Sequence, residues 1–151
     1  MHIIIDNLQG REIRALLEEH FAGMLASSPA DSCHFLDFDG LRAGNVTFWS
    51  IWDGESLAGC GALKEIGPDH GEIKSMRTHK AHLRKGAASQ MLEHIIATAK
   101  ERGYSRLSLE TGSAPAFEPA LSLYRAYGFT DCPPFADYKP DPFSIFMTKP
   151  V

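Results

Sequence analysis

Residues 82–92 read HLRKGAASQML: a basic pair, then a glycine, two alanines and the apolar spacing of a helix. Small residues keep side chains away from the start of a helix, so its first backbone N–H groups stay accessible. The helix dipole adds positive potential at that end. This combination is typical of a phosphate-binding loop. A tight turn with two solvated charges is the alternative, and the loop alone does not decide between them.

The loop lacks the patterns of two common nucleotide sites. A P-loop requires G-x-x-x-x-G-K-[ST], whereas Lys85 precedes Gly86 here and no Lys-Ser/Thr pair follows. A dinucleotide fingerprint requires three spaced glycines, and this loop has only one. We therefore expect neither a nucleoside triphosphate nor NAD as the ligand.

The composition indicates a single globular domain over residues 1–151. Hydrophobic residues make up 44% of the chain and charged residues 23%, which is ordinary for a soluble protein. The formal net charge of -4 gives no support for nucleic-acid binding, and no apolar run suggests membrane association. The cysteines, Cys33, Cys60 and Cys132, are far apart and odd in number. We therefore predict a reducing cytoplasmic location, with neither a disulfide framework nor a metal site.

Hydrophobic periodicity and turn residues predict a mixed α/β fold. Strands are predicted at HIII, VTFWSIW, LAGCGALKEI, EIKSMRT, RLSLET and SIFMTKP. Helices are predicted from about Gln9 to Ser27, from the basic loop to about Arg102, and through AFEPALSLYRAYGF to a stop at Gly128. The resulting order, β-α-β-β-β-α-β-α-β, contains hairpins and one strand–helix–strand crossover. We expect a mixed, mostly antiparallel central sheet with helices on both faces.

Two motifs about 40 residues apart, LRKGAA and ALSLYRAYGF, carry a resemblance to a known family. Over residues 72–129 the chain resembles the GCN5-related N-acetyltransferase (GNAT) family. That family's acetyl-CoA signature is [Q/R]-x-x-G-x-[G/A], and Gly86 and Ala88 stand at its matching positions. Leu83 occupies the first position, where the family has Gln or Arg. The neighbouring basic pair is expected to supply the charge instead.

The second motif is similar to the family's A-x-x-x-Y-x-x-x-G-F. Ala120, Tyr124, Gly128 and Phe129 are in register with it, and Phe117 stands where an Asn is common in the family. VTFWSIWDGESLAGCGALKEI, HGEIKSMRT and SLETGS further resemble a bacterial subgroup labelled YsnE-like. The resemblance implies a three-layer α/β/α fold with a mixed, mostly antiparallel sheet.

The resemblance also implies an N-acetyltransferase that transfers the acetyl group of acetyl-CoA to a primary amine. A small molecule is the expected acceptor. Two alternatives stay open: a sensor module that binds acyl-CoA without turnover, and an enzyme that acetylates a protein N-terminus or lysine. Formation of a homodimer also stays open.

For acetyl-CoA, the resemblance implies two groups of binding residues. Backbone N–H groups of the loop would hold the pyrophosphate, and the pantetheine arm would add to the exposed edge of the preceding strand. An N–H near Met76 would polarise the thioester carbonyl. The implied cofactor-binding residues are Met76, Arg77, Thr78, Arg84, Lys85, Gly86, Ala87, Ala88 and Ser89.

The resemblance also suggests the catalytic residues. Glu72 is the first candidate for the general base, because it lies eleven residues before Leu83, the spacing of the catalytic Glu in the family's histone acetyltransferases. An ordinary strand-end acid is the alternative, and Glu110 is the second candidate for the base or a contact to the acceptor. Tyr124 is expected to protonate the leaving thiolate. His34 lies in a region that covers the acceptor side in the family, with a structural role as the alternative. The proline-rich PPFADYKPDP either rims the acceptor pocket or forms a rigid turn.

Overall fold

A seven-stranded sheet forms the centre of the computed structural model, which describes residues 1–151. Its strands are β1 (His2–Ile5), β2 (Val46–Asp53), β3 (Ser56–Gly67), β4 (His70–Thr78), β5 (Arg106–Gly112), β6 (Thr130–Asp131) and β7 (Ser144–Pro150). They are arranged in the order β1-β2-β3-β4-β5-β7-β6. Only the β4–β5 pair is parallel. The predicted mixed, mostly antiparallel sheet is therefore confirmed, including its single crossover.

Four α-helices accompany the sheet: α1 (Arg11–Ser27), α2 (Phe38–Leu41), α3 (Ala87–Glu101) and α4 (Glu118–Ala126). The three longer helices confirm the predicted ones. The last is shorter than expected, because a 3-10 turn at Pro115–Phe117 comes first. The sequence-based prediction missed α2 and β6, which are too short to show a hydrophobic period. No helix combines the length and the apolar character that a membrane crossing requires.

Buried apolar side chains form two clusters, one on each face of the sheet. Leu92 and Ile95 of α3 and Leu121 of α4 belong to the larger cluster, whereas Ile13 and Leu17 of α1 belong to the smaller one. Each helix buries one apolar stripe, which places helices on both sides of the sheet. The expected three-layer α/β/α arrangement is therefore confirmed.

The sheet opens between β4 and β5. Parallel pairing runs from His70 opposite Arg106 to Ile73 opposite Leu109 and goes no further. On its other edge β4 stays paired with β3 as far as Thr78, across a register shift of the kind produced by a β-bulge. The bulge re-aims the strand. The edge of residues 74–78 that faces β5 therefore has no strand partner.

Side chains on the two strands beside the opening alternate between the faces of the sheet. Ile73 and Leu109 belong to the cluster under α3 and α4. Lys74 lies opposite Ala62, which belongs to the cluster under α1. By the same alternation, Glu110 lies on the α1 side. The opening is thus flanked by apolar residues on one face and by charged residues on the other.

The substitution Gly59→Ala tests how closely β3 and β4 pack beside the opening. A Cβ at Gly59 would lie 2.6 Å from the backbone oxygen of Arg77, so Gly59→Ala would have to move one of the two strands. We expect the free energy of unfolding to fall by about 1–3 kcal/mol in urea denaturation. Gly44→Ala is the matched control, because nothing lies within 4 Å of its added Cβ. Equal stability of the two variants would contradict this view of the strand contact.

Candidate active site

A cavity of about 70 Å³ lies where β4 and β5 separate. Tyr124 of α4 reaches it from one face of the sheet. His20 of α1 reaches it from the other face, together with His34 and Phe35 of the loop that follows α1. The opening in the sheet therefore lets side chains from both layers of helices meet at one point.

The basic loop has the geometry expected of a phosphate site. The first backbone hydrogen bond of α3 runs from the N–H of Gln90 to the oxygen of Gly86 at 3.0 Å. The N–H groups of Ala87, Ala88 and Ser89 precede it and have no partner in the helix. Gly86 has a φ of 88° and no side chain caps the helix. Its left-handed backbone suits glycine, and the exposed side chains of Arg84 and Lys85 flank the helix start.

The predicted residues of β4 present backbone groups toward the opening. Arg77 and Thr78 pair with β3 on one edge, and their other edge is free. The side chain of Arg77 does not reach the basic loop, because it approaches Glu19 of α1 at 3.8 Å. Met76 lines the cavity itself. An amide-containing ligand could therefore add to this edge as an extra strand would.

Tyr124 is a buried hydroxyl donor in the cavity. It is 6% exposed, and its ring packs against Phe129 with centroids 5.8 Å apart. Burial raises its pKa well above the ordinary value for tyrosine, without contribution from any hydrogen bond. The phenol is therefore protonated at neutral pH and able to donate its proton.

Glu110 shares this cavity with Tyr124. Its side chain is 5% exposed, and His34 Nδ1 lies 3.5 Å from its Oε2. That distance gives electrostatic contact, but His34 Nδ1 has no hydrogen-bond partner. Glu110 is thus a buried carboxylate that faces a neighbouring imidazole.

Glu72 lies in a different arrangement, in which one of its carboxylate oxygens has two hydrogen-bond donors. It is 2% exposed and its Oε2 accepts hydrogen bonds from Tyr138 Oη at 2.6 Å and Lys74 Nζ at 3.2 Å. Lys74 Nζ also donates to Tyr138 Oη at 2.8 Å and to the backbone oxygen of His34 at 3.0 Å. This network joins β4 to the loop that follows α1 and to the proline-rich loop before β7. Burial and the neighbouring Glu72 carboxylate raise the pKa of Tyr138 above its ordinary value.

A larger cavity of about 690 Å³ adjoins this network. Residues 136–141 of the proline-rich loop line it, and so do Glu72 and His34. The loop is tied down where Ser32 Oγ donates to Asp141 Oδ2 at 2.6 Å. Because His34 lines both cavities, the larger one is placed beside the smaller one at the α1 side of the sheet.

Sequence reasoning missed three polar residues of this site, His20, Lys74 and Ser75, and it included Tyr138 only within the proline-rich PPFADYKPDP, with no role of its own. Lys74 was accessible from the sequence, since residues two apart on a strand share a face and Glu72 was already a candidate. His20 follows Leu16 and Leu17 at helical spacing, which predicts burial but not a position in a cavity. Ser75 and Tyr138 carried no local signal, because a bulge and a contact 66 residues away place them.

Phe117 replaces the Asn that is common in the family, and the structure shows a packing role for it. The Phe117 ring lies against Gly112, so close that a Cβ at that position would overlap the ring. The ring thereby holds the start of α4 against the end of β5.

The model of the acetyltransferase (GNAT) family matches residues 11–129. The chain belongs to this family. N-acetyltransferase YsnE of Bacillus subtilis is 58% identical over 149 residues, which cover 99% of each chain. N-acetyltransferase YedL of Escherichia coli is 50% identical, covering 95% of this chain and 90% of its own. An IAA acetyltransferase of Azospirillum brasilense is 36% identical, covering 82% of this chain and 80% of its own.

Solved structures agree with this assignment. A protein described as an acyl-CoA N-acyltransferase from Klebsiella pneumoniae has a TM-score of 0.82 at 28% identity, covering 99% of this chain and 96% of its own. A Bacillus subtilis acetyltransferase in complex with CoA shares the fold, with a TM-score of 0.72 at 19% identity over 99% and 98% of the two chains. The GNAT resemblance, including the YsnE-like subgroup, is thus confirmed, and the protein is an acetyltransferase of GNAT type.

The buried ion pair between Glu72 and Lys74 is expected to contribute to the stability of the fold. Lys74→Met removes the cation and leaves the Glu72 carboxylate with Tyr138 as its remaining partner, and we expect the free energy of unfolding to fall by about 3–5 kcal/mol. The double variant Glu72→Gln/Lys74→Met removes both charges and should recover a large part of that loss. Urea denaturation measures both effects. Wild-type stability of Lys74→Met would show that the pair does not hold the loops.

Proposed function

We propose that this GNAT protein transfers the acetyl group of acetyl-CoA to the primary amine of a small molecule. One observation carries the proposal: Tyr124 and Glu110 line the same cavity, which lies at the opening in the sheet. A proton donor and a carboxylate therefore approach that cavity from opposite faces. Direct transfer from thioester to amine requires both a proton acceptor and a proton donor.

The residues present fit acetyl-CoA, which supplies an activated acetyl group as a thioester. The N–H groups of residues 84–89 suit its pyrophosphate, with Gly86 giving the backbone room to approach. The free edge at Met76, Arg77 and Thr78 suits the amides of its pantetheine arm. Arg77 contributes here through its backbone, since its side chain is turned toward Glu19.

Glu110 is the proposed proton acceptor, in preference to Glu72. An amine is cationic at neutral pH and must lose a proton before it can attack. The Glu72 carboxylate is already held by Lys74 and Tyr138, and it lines the larger cavity rather than the one that contains Tyr124. Glu110 lines the same cavity as Tyr124, with His34 beside it. We therefore assign Glu72 the role of holding Lys74 and Tyr138 in place.

Tyr124 is the proposed proton donor. The raised pKa of its hydroxyl keeps Tyr124 protonated, so the hydroxyl can donate a hydrogen bond to the sulfur as the C–S bond breaks. Because an ordinary thiol has a lower pKa than tyrosine, Tyr124 would stabilise the departing thiolate mainly through this hydrogen bond, and the proton that the amine nitrogen loses on amide formation balances the one that ends on the thiol. Burial of the ring limits competition from water.

The proposal also covers the acceptor, which is a small molecule, and the location, which is the cytoplasm. A small molecule fits the cavity of about 690 Å³ that shares His34 with the smaller cavity. The relative named IAA acetyltransferase makes IAA a further candidate acceptor, and a protein lysine or N-terminus is a third. Cys33, Cys60 and Cys132 are free thiols, which supports a reducing, cytoplasmic location.

Release of free thiol from acetyl-CoA in the presence of amines tests the function. We expect turnover with n-butylamine, and Tyr124→Phe should lower kcat by roughly 10- to 1,000-fold because it removes only the proton donor. Acetyl-CoA affinity, measured by calorimetry, should change little. Tight acetyl-CoA binding without turnover of any amine, IAA or peptide would favour the sensor alternative.

Tyr127→Phe is the matched control, since Tyr127 directly follows α4 and its hydroxyl donates to Glu93 on the surface at 2.5 Å. It should retain close to wild-type kcat. Wild-type kcat in Tyr124→Phe, with chemistry shown to limit the rate, would make Tyr124 a packing residue and water the proton source.

A pair of isosteric variants distinguishes the catalytic roles of Glu110 and Glu72. Glu110→Gln cannot accept a proton, and we expect kcat/KM for n-butylamine to fall by about 10²–10⁴-fold. Glu72→Gln keeps an oxygen to accept from Tyr138, so its loss should stay below about 10-fold. Steady-state rates at saturating acetyl-CoA measure both, with circular dichroism to confirm folding. The reverse order of effects would return the role of base to Glu72.

A further inference from the structure

Three residues that line the smaller cavity each have a buried polar atom without a hydrogen-bond partner. These atoms are His20 Nδ1, Ser75 Oγ and His34 Nδ1. Native interiors rarely leave such atoms unpaired, so a group of three around one cavity points to a ligand that completes their hydrogen bonds. All three lie on β4 or on the elements of the α1 side, away from the α3 loop.

His20 is the most deeply buried of the three residues. It is 7% exposed and belongs to α1, on the face of the sheet opposite α4. Desolvation, with a contribution from the positive charge of Arg77, lowers its pKa to about 4. The ring is therefore neutral near pH 7, so one of its nitrogens accepts a hydrogen bond and the other donates.

The polar atoms match the hydrogen-bonding capacity of a primary amine. An ammonium group donates three hydrogen bonds. Glu110, Ser75 and His20 line the cavity and offer three acceptors, whereas His34 Nδ1 lies 3.5 Å from the Glu110 carboxylate. A secondary amine has one N–H fewer and would bring an extra carbon substituent into the same space.

Cavity size and charge restrict the carbon that carries the amine. A volume of about 70 Å³ accommodates the amino group and roughly one or two carbons. Two cations lie near the cavity, and both are already engaged: Lys74, which lines it, donates to Glu72, Tyr138 and the backbone oxygen of His34, and the Arg77 guanidinium approaches Glu19 at 3.8 Å. A carboxylate adjacent to the amine would therefore face Glu110 without an unengaged cation. Such an acceptor would lose affinity through an unpaired buried charge.

The charge of the larger cavity favours the same kind of acceptor. Its lining carries more carboxylates than ammonium groups: Asp31, Glu65, Glu72, Asp137 and Asp141 against Lys64 and Lys139. The part of the acceptor that extends past His34 therefore meets net negative charge. This favours neutral or cationic tails over anionic ones.

We propose that the α1 side of the small cavity is an acceptor subsite for primary amines carried on an unbranched carbon with no adjacent carboxylate. In this subsite His20 and Ser75 accept hydrogen bonds from the amine N–H groups while Glu110 faces the remaining one. The inference rests on the proposed acetyltransferase activity. It separates ω-amines and lysine-like side chains, which fit, from α-amino acids and protein N-termini, which do not.

An acceptor series with the full chain and acetyl-CoA tests the selection. The series contains n-butylamine, sec-butylamine, N-methylbutylamine and 2-aminobutanoate. We expect kcat/KM for n-butylamine to exceed that of each other compound by at least about 10-fold, the usual scale for a lost hydrogen bond to a charged group or a steric mismatch.

Variants at His20 test its role as a positioning residue. His20→Leu should raise KM for n-butylamine by about 10-fold with KM for acetyl-CoA unchanged, and His20→Gln, which keeps an acceptor oxygen, should restore most of the loss. His94→Leu is the matched control: His94 Nε2 is also buried without a partner, but His94 belongs to α3 and its ring packs against Trp49 of β2. It should leave both KM values unchanged.

The outcomes are distinguishable. If the wild-type protein acetylates no amine at all, the proposed function fails and this inference fails with it. If it acetylates branched, secondary and carboxylated amines as well as n-butylamine, only the inference fails. An unchanged amine KM in His20→Leu would remove His20 from the subsite.

Discussion

The separation of β4 from β5 beyond Ile73 and Leu109 is the constraint on which the rest of the site depends. Paired strands would leave no passage between the two layers of helices, and Tyr124 and Glu110 would lie on opposite faces of a closed sheet. The bulge near Ser75, which has a φ of 56°, turns β4 while its pairing with β3 continues. One local irregularity thus creates both a free strand edge and a shared cavity.

The buried network around Lys74 has a different role, which is to hold two loops of the α1 side in place. Burying an ammonium and a carboxylate is costly unless both are well hydrogen-bonded, and Lys74 has three oxygen partners. Those partners belong to β4, the loop after α1 and the proline-rich loop. The ion pair therefore fixes the position of two loops whose sequences contain little regular structure, and through them it places His34 beside Glu110.

Much of the fold was predictable from the sequence because its signals are local. The apolar spacing of α3 and the preceding Gly86 predicted a helix that begins after this glycine. Tyr124 occupies the tyrosine position of the second motif. The proposed proton acceptor, Glu110, was harder to predict: the spacing favoured Glu72, whose partner Tyr138 lies 66 residues away and contacts it only in the folded chain. His20 reads as a core residue on its helix. Whether it faces apolar atoms or a cavity depends on where the sheet opens, which no short pattern encodes.

Hydrogen–deuterium exchange with and without CoA tests the central claim most directly. If the opening is where the pantetheine arm lies, CoA should slow exchange of the backbone amides of residues 74–78 together with those of residues 84–89, because the free edge gains hydrogen-bond partners. The distant strand β6 should be unaffected. Saturation with CoA that protects the loop at residues 84–89 but leaves residues 74–78 exchanging at their original rate would contradict the account.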